Sequence, residues 1–177
     1  MKFLQGDALD NLFHSFTRTA FHLEVQDSYH TPEESGPFDL FLAGEPDDFS
    51  WHQPWLDLVR GAATAGKAMT RVRVVTVPHI GYTRWGLTVA EHNIAAGEDI
   101  RWLPRHLTDA SALPADDFWL FDDDHVVFTI FEPGGRFAGG ASTTDPVIVD
   151  YCRTTRDRLW EQAIGHAAYR DSQHAHA

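Results

Sequence analysis

Apolar and polar residues recur along the chain with two different periods. A period of three to four residues places side chains on one face of a helix, and a period of two places them on one face of a strand. The longer period predicts helices over residues 7–16, 31–44, 50–65 and 82–96, and from Asp145 onward. The shorter period predicts strands over residues 20–25, 71–77, 99–103, 125–131 and 136–138. This order predicts an α/β fold, with a single mixed sheet and flanking helices.

One further strand is predicted within the stretch from Leu113 to Asp124. Its apolar centre, Phe118–Phe121, is short and bounded by turn-forming residues, a pattern typical of a buried strand. Two carboxylates precede this centre and three follow it, namely Asp116, Asp117 and Asp122–Asp124. They are candidates for turn-forming residues, ligands of a hard divalent cation, or catalytic acids.

The alternation in residues 20–25 predicts a strand with one face in water.

The chain of 177 residues, 43% of them hydrophobic, is long enough for one domain with a sizeable core. We predict a single α/β domain over residues 1–170 and a disordered tail over residues 171–177. Its single cysteine, Cys152, excludes an intrachain disulfide and falls in a helical pattern typical of a core residue.

The net charge and the lengths of the apolar runs indicate which classes of binding partner to expect. The formal net charge of −12 disfavours direct binding to the phosphate backbone of a nucleic acid. No apolar run is long enough to span a membrane, so we expect a cytoplasmic protein without membrane association. An acidic surface suits a basic protein partner, and a homodimer is also compatible with the sequence. No metal-ligand spacing or nucleotide-binding motif is present, so we predict neither a metal site nor a cofactor.

Several segments carry a family resemblance that covers nearly the whole chain. They include residues 71–75, 82–85, 100–105 and 117–122. Together they resemble a family of small actinobacterial proteins of unknown function, often encoded beside helix-turn-helix regulators. The resemblance implies an accessory role beside such a regulator. His22 departs from it, because we expect Arg at that position.

The element order of the second half is similar to that of a phospholipase D-type half-domain. In that superfamily a motif His-x-Lys-x4-Asp supplies the nucleophile and holds phosphate. When Asp122 is placed at the acid position, Ala115 stands where His is needed and Asp117 where Lys is needed. A carboxylate neither replaces an imidazole nucleophile nor neutralises phosphate. The similarity therefore implies a domain that has lost this reaction.

Arginines on neighbouring predicted strands suggest a binding site for a small anionic ligand. Arg71 and Arg73 share one strand face, and the carboxyl ends of strands in an open α/β sheet often form a ligand crevice. The predicted ligand-binding residues are Arg71, Arg73, Tyr82, Arg84, Trp85, Glu98, Arg101, Asp117 and Asp122. Ordinary salt bridges between these arginines and the many carboxylates are the alternative.

The sequence contains no recognisable catalytic motif, and its catalytic residues are unknown. We therefore predict a non-catalytic accessory or regulatory protein that binds a ligand or a protein, with a helix-turn-helix regulator as the candidate protein partner. The alternative is a small enzyme that acts on an anionic metabolite through a pocket of Arg, Tyr, Glu and Asp side chains. A structure shows whether the predicted ligand-binding side chains line a cavity or pair with one another in the core.

Overall fold

The computed structural model describes residues 1–176. Over these residues the chain forms one eight-stranded sheet with six α-helices around it. The strands are β1 (Lys2–Leu4), β2 (Thr19–Glu24), β3 (Ala68–Val75), β4 (Glu98–Pro104), β5 (Phe118–Phe121), β6 (His125–Phe131), β7 (Phe137–Thr143) and β8 (Ile164–Gly165). The helices are α1 (Asp7–Ser15), α2 (Pro32–Ala43), α3 (Gln53–Thr64), α4 (Gly81–Ala96), α5 (Pro146–Gln162) and α6 (His166–Arg170).

The sheet is mixed, with the strand order β1-β7-β6-β5-β2-β3-β4-β8. Strands β2, β3 and β4 are parallel, and the remaining pairs are antiparallel. Parallel neighbours need a crossover connection, which α2 and α3 supply between β2 and β3, and α4 supplies between β3 and β4. The predicted α/β fold with a single mixed sheet and flanking helices is thus confirmed.

One face of the sheet packs against α5, and we call it the aliphatic face. Alternate residues of the central strands point to this side because successive side chains of a strand point to opposite faces. They form one apolar cluster with the inner side of α5, which includes Leu23, Val72, Leu120, Cys152 and Leu159. Each of these five side chains is buried.

The opposite face packs against α1, α3, α4 and α6. Near one end of the strands, Leu56 and Val59 of α3 pack with Met69 of β3. Near β4, Trp102 packs with Tyr169 of α6, with ring centroids 5.6 Å apart. Between these two apolar groups the sheet carries charged side chains, and we call this side the charged face.

The predicted solvent-exposed face of residues 20–25 is wrong. His22 and Glu24, the polar residues of that alternation, lie on the charged face under the helices, and only 5% of Glu24 is exposed. Parallel strands with crossover helices are covered on both sides, so a polar alternation here does not mark a face in water.

Three short elements escaped the sequence analysis, namely β1, β8 and α6. They are two to five residues long, which is too short for a periodic signal. Residues 171–176 form turns, and the ring of His174 stacks on Tyr169 at a centroid distance of 6.3 Å. Ala177, the last residue of the predicted disordered tail, lies outside the described residues. No helix within residues 1–176 combines the length and the apolar character that crossing a bilayer requires.

Candidate functional site

A cavity of about 1270 Å³ lies over the charged face of the sheet. Strands β2 to β7 all contribute to its floor, and its walls include residues of α1, α2, α3 and α4. The register of the strands explains the floor. His22 is opposite Arg71 in the parallel pair β2–β3, and it is opposite Trp119 in the antiparallel pair β2–β5. Side chains that alternate along three neighbouring strands therefore meet at one place.

An ion-pair network holds the charged part of the floor. The Arg71 guanidinium donates to Glu24 at 2.5 Å and to Glu98 at 2.7 Å, and Arg73 forms an ion pair with the second oxygen of Glu24. Asn93 of α4 donates to the other oxygen of Glu98 at 2.8 Å. Burial alone raises the pKa of Glu24, but Arg73 and Arg71 outweigh it and lower that pKa to about 2. Glu24 and the two arginines are therefore ionised, and Glu98 joins the network through its bonds to Arg71 and Asn93.

His22 is an uncharged side chain on this floor. Its ring stacks on Trp119, with centroids 4.1 Å apart and planes at 10°. Burial lowers the pKa of His22 to about 3, and the neighbouring arginines also lower it, although Glu24 acts in the opposite direction. Neither ring nitrogen has a hydrogen-bond partner within residues 1–176. The imidazole is therefore neutral at physiological pH.

Two carboxyl groups beside the network are protonated more readily than usual. Asp117 accepts a hydrogen bond from the Val25 backbone N–H at 2.7 Å, and burial raises the pKa of Asp117 to about 7. Glu34 of α2 accepts a hydrogen bond from the Tyr82 hydroxyl at 2.5 Å, and burial raises the pKa of Glu34. The Tyr29 hydroxyl lies close enough to Asp117 to affect its pKa, but makes no hydrogen bond of regular geometry to any described residue. Such perturbed carboxyls in a cavity are typical of functional sites.

The structure brings six of the nine predicted ligand-binding residues to this region. Arg71, Arg73, Tyr82 and Asp117 line the cavity. Glu98 lies beneath the floor as the partner of Arg71. Trp85 is buried on α4 beside Tyr82, with ring centroids 5.4 Å apart.

The other three predicted residues lie elsewhere. Arg101 points to the aliphatic face, where its guanidinium lies 3.9 Å from the Trp160 ring centroid. Arg84 is exposed and donates to the His79 carbonyl at 2.5 Å. Asp122 lies in the turn between β5 and β6, where its carboxylate accepts backbone N–H groups of residues 17–19. The binding role of all nine residues stays a prediction.

The acidic residues around β5 separate into different environments. Asp117 faces the cavity, Asp122 binds backbone N–H groups, and Asp123 forms an ion pair with Arg156. Within residues 1–176 no three His, Cys, Asp or Glu side chains are grouped so that they could hold a metal ion.

Sequence reasoning missed several residues of the site, among them His22, Glu24, Tyr29, Glu34 and Asn93. The signal for two of them was present. His22 and Glu24 alternate with apolar residues as Arg71 and Arg73 do, and complementary charges on neighbouring strands favour pairing. Tyr29, Glu34 and Asn93 come from a loop and two helices, whose docking on the sheet leaves no local trace in the sequence.

Comparisons with known proteins agree with this fold. A family model described as "Domain of unknown function (DUF6879)" matches residues 7–171. Among solved structures, the chain is similar to Nuc from Salmonella typhimurium, a phospholipase D family member, with a TM-score of 0.54 and 13% sequence identity. That similarity covers 90% of this chain and 91% of the other. No curated protein matches the sequence.

The similarity at this identity concerns the fold, and it confirms the phospholipase D-like order predicted from the sequence. Ala115 is exposed before β5, whereas Asp117 lines the cavity. At the position where the sequence comparison expected a phosphate-binding Lys, the cavity therefore contains a carboxyl group.

Proposed function

The chain belongs to the DUF6879 family, and from its cavity we propose that it is a non-catalytic binding protein for a small organic molecule. The observation that carries this proposal is the cavity of about 1270 Å³ over the charged face. Ligand sites in proteins commonly measure about 300–1,000 Å³ and combine apolar walls with a few fixed polar groups. This cavity has room for a ligand of ordinary metabolite size.

The lining supports binding because its polar groups are held in place before a ligand arrives. Arg71 is bonded to two glutamates, and His22 is stacked on Trp119. Side chains fixed in this way lose little conformational entropy when a ligand binds. Aromatic surfaces around the floor, including Tyr29 and Phe131 with ring centroids 5.5 Å apart, offer apolar contact area.

A cavity-filling substitution tests the proposal. Gly61 lies on α3 and lines the cavity, and a Cβ built at this position has no neighbour within 4 Å. Gly61→Trp therefore places a large side chain in open space without removing a contact. A small-molecule library screened by ligand-observed NMR and thermal shift is expected to give hits with the wild type, because a ligand of the native state raises the melting temperature. Gly61→Trp is expected to lose those hits.

Gly36→Trp is the matched control. Gly36 also lies in a helix with open space around its Cβ position, but it does not line the cavity. The library is expected to give the same hits with Gly36→Trp as with the wild type. A library without hits for the wild type, or hits that persist in Gly61→Trp, contradicts a binding function for this cavity.

We further propose that the protein acts beside a partner with a basic surface, such as a cytoplasmic helix-turn-helix regulator of an actinobacterial cell. The net charge of −12 supports this, since charge complementarity accelerates association and disfavours partners of like charge. Calorimetry with a regulator encoded next to this chain is expected to show binding that weakens as salt is added. Absence of binding at micromolar concentration contradicts the partnership and leaves the cavity proposal unaffected.

A second candidate function is an enzyme that transfers a proton at the cavity floor, including one that acts on an anionic metabolite. It is favoured by the pKa of Asp117, which burial raises to about 7, because a general acid or base works best near the ambient pH. Incubation with a metabolite extract, followed by mass spectrometry, is expected to show a product with the wild type and none with Asp117→Asn. An extract left unchanged by the wild type removes this candidate.

A further inference from the structure

The cationic side chains that line the cavity are all bonded within the protein. Arg71 and Arg73 are paired with the floor glutamates, as described above. Arg136 binds Glu132 through two hydrogen bonds of 2.6 and 3.0 Å. Lys67 donates to the Phe16 carbonyl at 2.5 Å. These four are the only Lys and Arg residues of the lining in the described chain.

The carboxyl groups of the lining are more numerous than its cations, and a smaller share of them has a partner of opposite charge. Six are present, namely Asp10, Glu24, Glu33, Glu34, Asp57 and Asp117. Of these, Glu24 is paired with the floor arginines and Asp57 with Arg60. The other four have no cationic partner within residues 1–176. The lining therefore holds four acids, Glu34 and Asp117 among them, that a bound cation meets without displacing a Lys or Arg of the described chain.

Two of the unpaired acids lie beside a group of aromatic rings. The Glu34 carboxyl is bonded to Tyr82, whose ring centroid is 6.0 Å from that of Tyr29. Tyr29 in turn adjoins both Asp117 and Phe131. We call these five residues the aromatic end of the cavity. The face of an aromatic ring attracts a cation, and a nearby carboxylate adds to the attraction.

We infer that the cavity takes an organic cation, an amine or amidine with a flat or apolar body, which binds at the aromatic end. This inference rests on the proposed binding function and names the class of its ligand. Glu34 is partly exposed and supplies the direct contact. Asp117 is only 1% exposed and acts from beneath the floor through its charge.

The same contacts argue against the anionic ligand that the arginines suggested in the sequence. Arg71 and Arg73 are both already paired with Glu24, so an anion at either guanidinium competes with a buried carboxylate for the same charge. Weakening a buried ion pair in this way is destabilising. A cation requires no such exchange, because it meets acids that have no cationic partner.

Three planar probes of the same shape and different charge test the inference. These are 2-naphthamidinium, 2-naphthamide and 2-naphthoate, titrated into the full chain at pH 7.5 and followed by calorimetry and by the NMR signals of the protein. The cation is expected to bind about tenfold more tightly than the neutral amide, and the anion more weakly than either. Thr129→Trp enlarges a lining residue whose backbone N–H donates to the Asp117 carbonyl, and it is expected to abolish binding of all three.

Charge-removing variants locate the contact. Glu34→Gln and Asp117→Asn are each expected to lower the affinity for the cation about three- to tenfold while leaving the affinity for the amide unchanged. Glu161→Gln and Asp150→Asn are matched controls, since they remove the same charge from exposed positions of α5 across the sheet. Both are expected to bind all three probes as the wild type does.

The outcomes of the probe titrations distinguish failure of the cation inference from failure of the proposed binding function. If the anion binds most tightly, or the three probes bind equally, the inference is wrong and the binding cavity stands. If binding survives in Thr129→Trp, the probes bind away from the aromatic end and the inference is wrong. If no probe binds to the wild type, the proposed function fails together with it. Should Asp117→Asn fold poorly, Glu34→Gln decides the question alone, because Glu34 is not part of the core.

Discussion

The two faces of the central sheet come from the same strands and differ in chemistry. On the aliphatic face, Leu23 and Val72 pack with α5 in one apolar cluster. One residue away along the same strands, Glu24 and Arg71 occupy the charged face, where ion pairs replace apolar packing and a cavity of about 1270 Å³ remains. The comparison teaches that alternation along the same strands separates two chemistries. Apolar packing fills one face, whereas the buried ions of the other face pair with one another because a buried charge without a partner is costly.

The largest expected effect comes from breaking the ion network of the charged face. Glu98→Ala removes the carboxylate that accepts from Arg71 at 2.7 Å and from Asn93 at 2.8 Å. We expect the free energy of unfolding to fall by about 3–5 kcal/mol, because a buried guanidinium loses a charged partner. Urea denaturation measures the change. Glu98→Gln keeps two polar atoms in place and serves as control with a smaller loss, and a loss below about 1 kcal/mol in Glu98→Ala contradicts the prediction.

A deletion in the aliphatic face is expected to be nearly as costly and to leave the cavity unchanged. Leu23 has no exposed surface and packs in the cluster under α5. Leu23→Ala is expected to cost about 2–5 kcal/mol in urea denaturation, from lost transfer energy and the void that remains. Leu23→Met keeps the volume and is expected to cost less than about 1.5 kcal/mol. Altered probe binding in a folded Leu23→Ala protein would show that the two faces are coupled.

The charged face is also expected to carry two opposing pH dependences. The pKa of Asp117 is raised from 3.8 to about 7, so its contribution to stability is lost as the pH rises from about 4 to about 7. The pKa of His22 is lowered from 6.5 to about 3, so its contribution is lost as the pH falls through that range. Between pH 4 and 6.5 the two contributions have opposite slopes.

Single substitutions separate the contributions of Asp117 and His22 to the pH dependence of stability. Relative to the wild type, Asp117→Asn is expected to gain stability as the pH rises from 4 to 7, by up to about 4 kcal/mol. His22→Gln is expected to lose stability over the same rise. Urea midpoints measured at half-unit pH intervals provide the test. A constant difference between either variant and the wild type contradicts the assigned titration.

The smallest expected effect is at the edge of the two faces, in the turn between β5 and β6. The Asp122 carboxylate accepts the N–H groups of Thr17 and Arg18 at 2.7 Å and that of Thr19 at 2.9 Å. Burial acts to raise the pKa of Asp122, but these bonds lower it to about 2. Asp122→Asn is expected to cost about 1–2 kcal/mol in thermal or urea unfolding.

Asp124→Asn is the control for that turn. Asp124 is exposed and follows Asp122 by two residues, so its substitution removes the same charge without removing a cap. A change within about 0.5 kcal/mol is expected. Equal losses in the two variants would assign the effect to charge alone.

Much of the fold could be predicted from the sequence because its long elements have a clear period. Residues 82–96 predicted α4, and residues 71–77 predicted β3, each within a few residues of its bounds. The candidate site was predicted less well. Arg71, Arg73, Tyr82 and Asp117 lie at the cavity, whereas Arg101 points to the other face, because the strand order and not the sequence separation decides which side chains meet.

By itself the sequence determined the fold class, the strand at Phe118–Phe121 and the grouping of Arg71 with Arg73, since these depend on periods read within one element. Only the tertiary structure decided that Glu24 is buried, that His22 stacks on Trp119, that Glu24 and Glu98 pair with the arginines, and that a cavity lies above them. The physical reason is that burial and charge pairing depend on distances between elements far apart in the chain. The local pattern of residues contains the charges but not their partners.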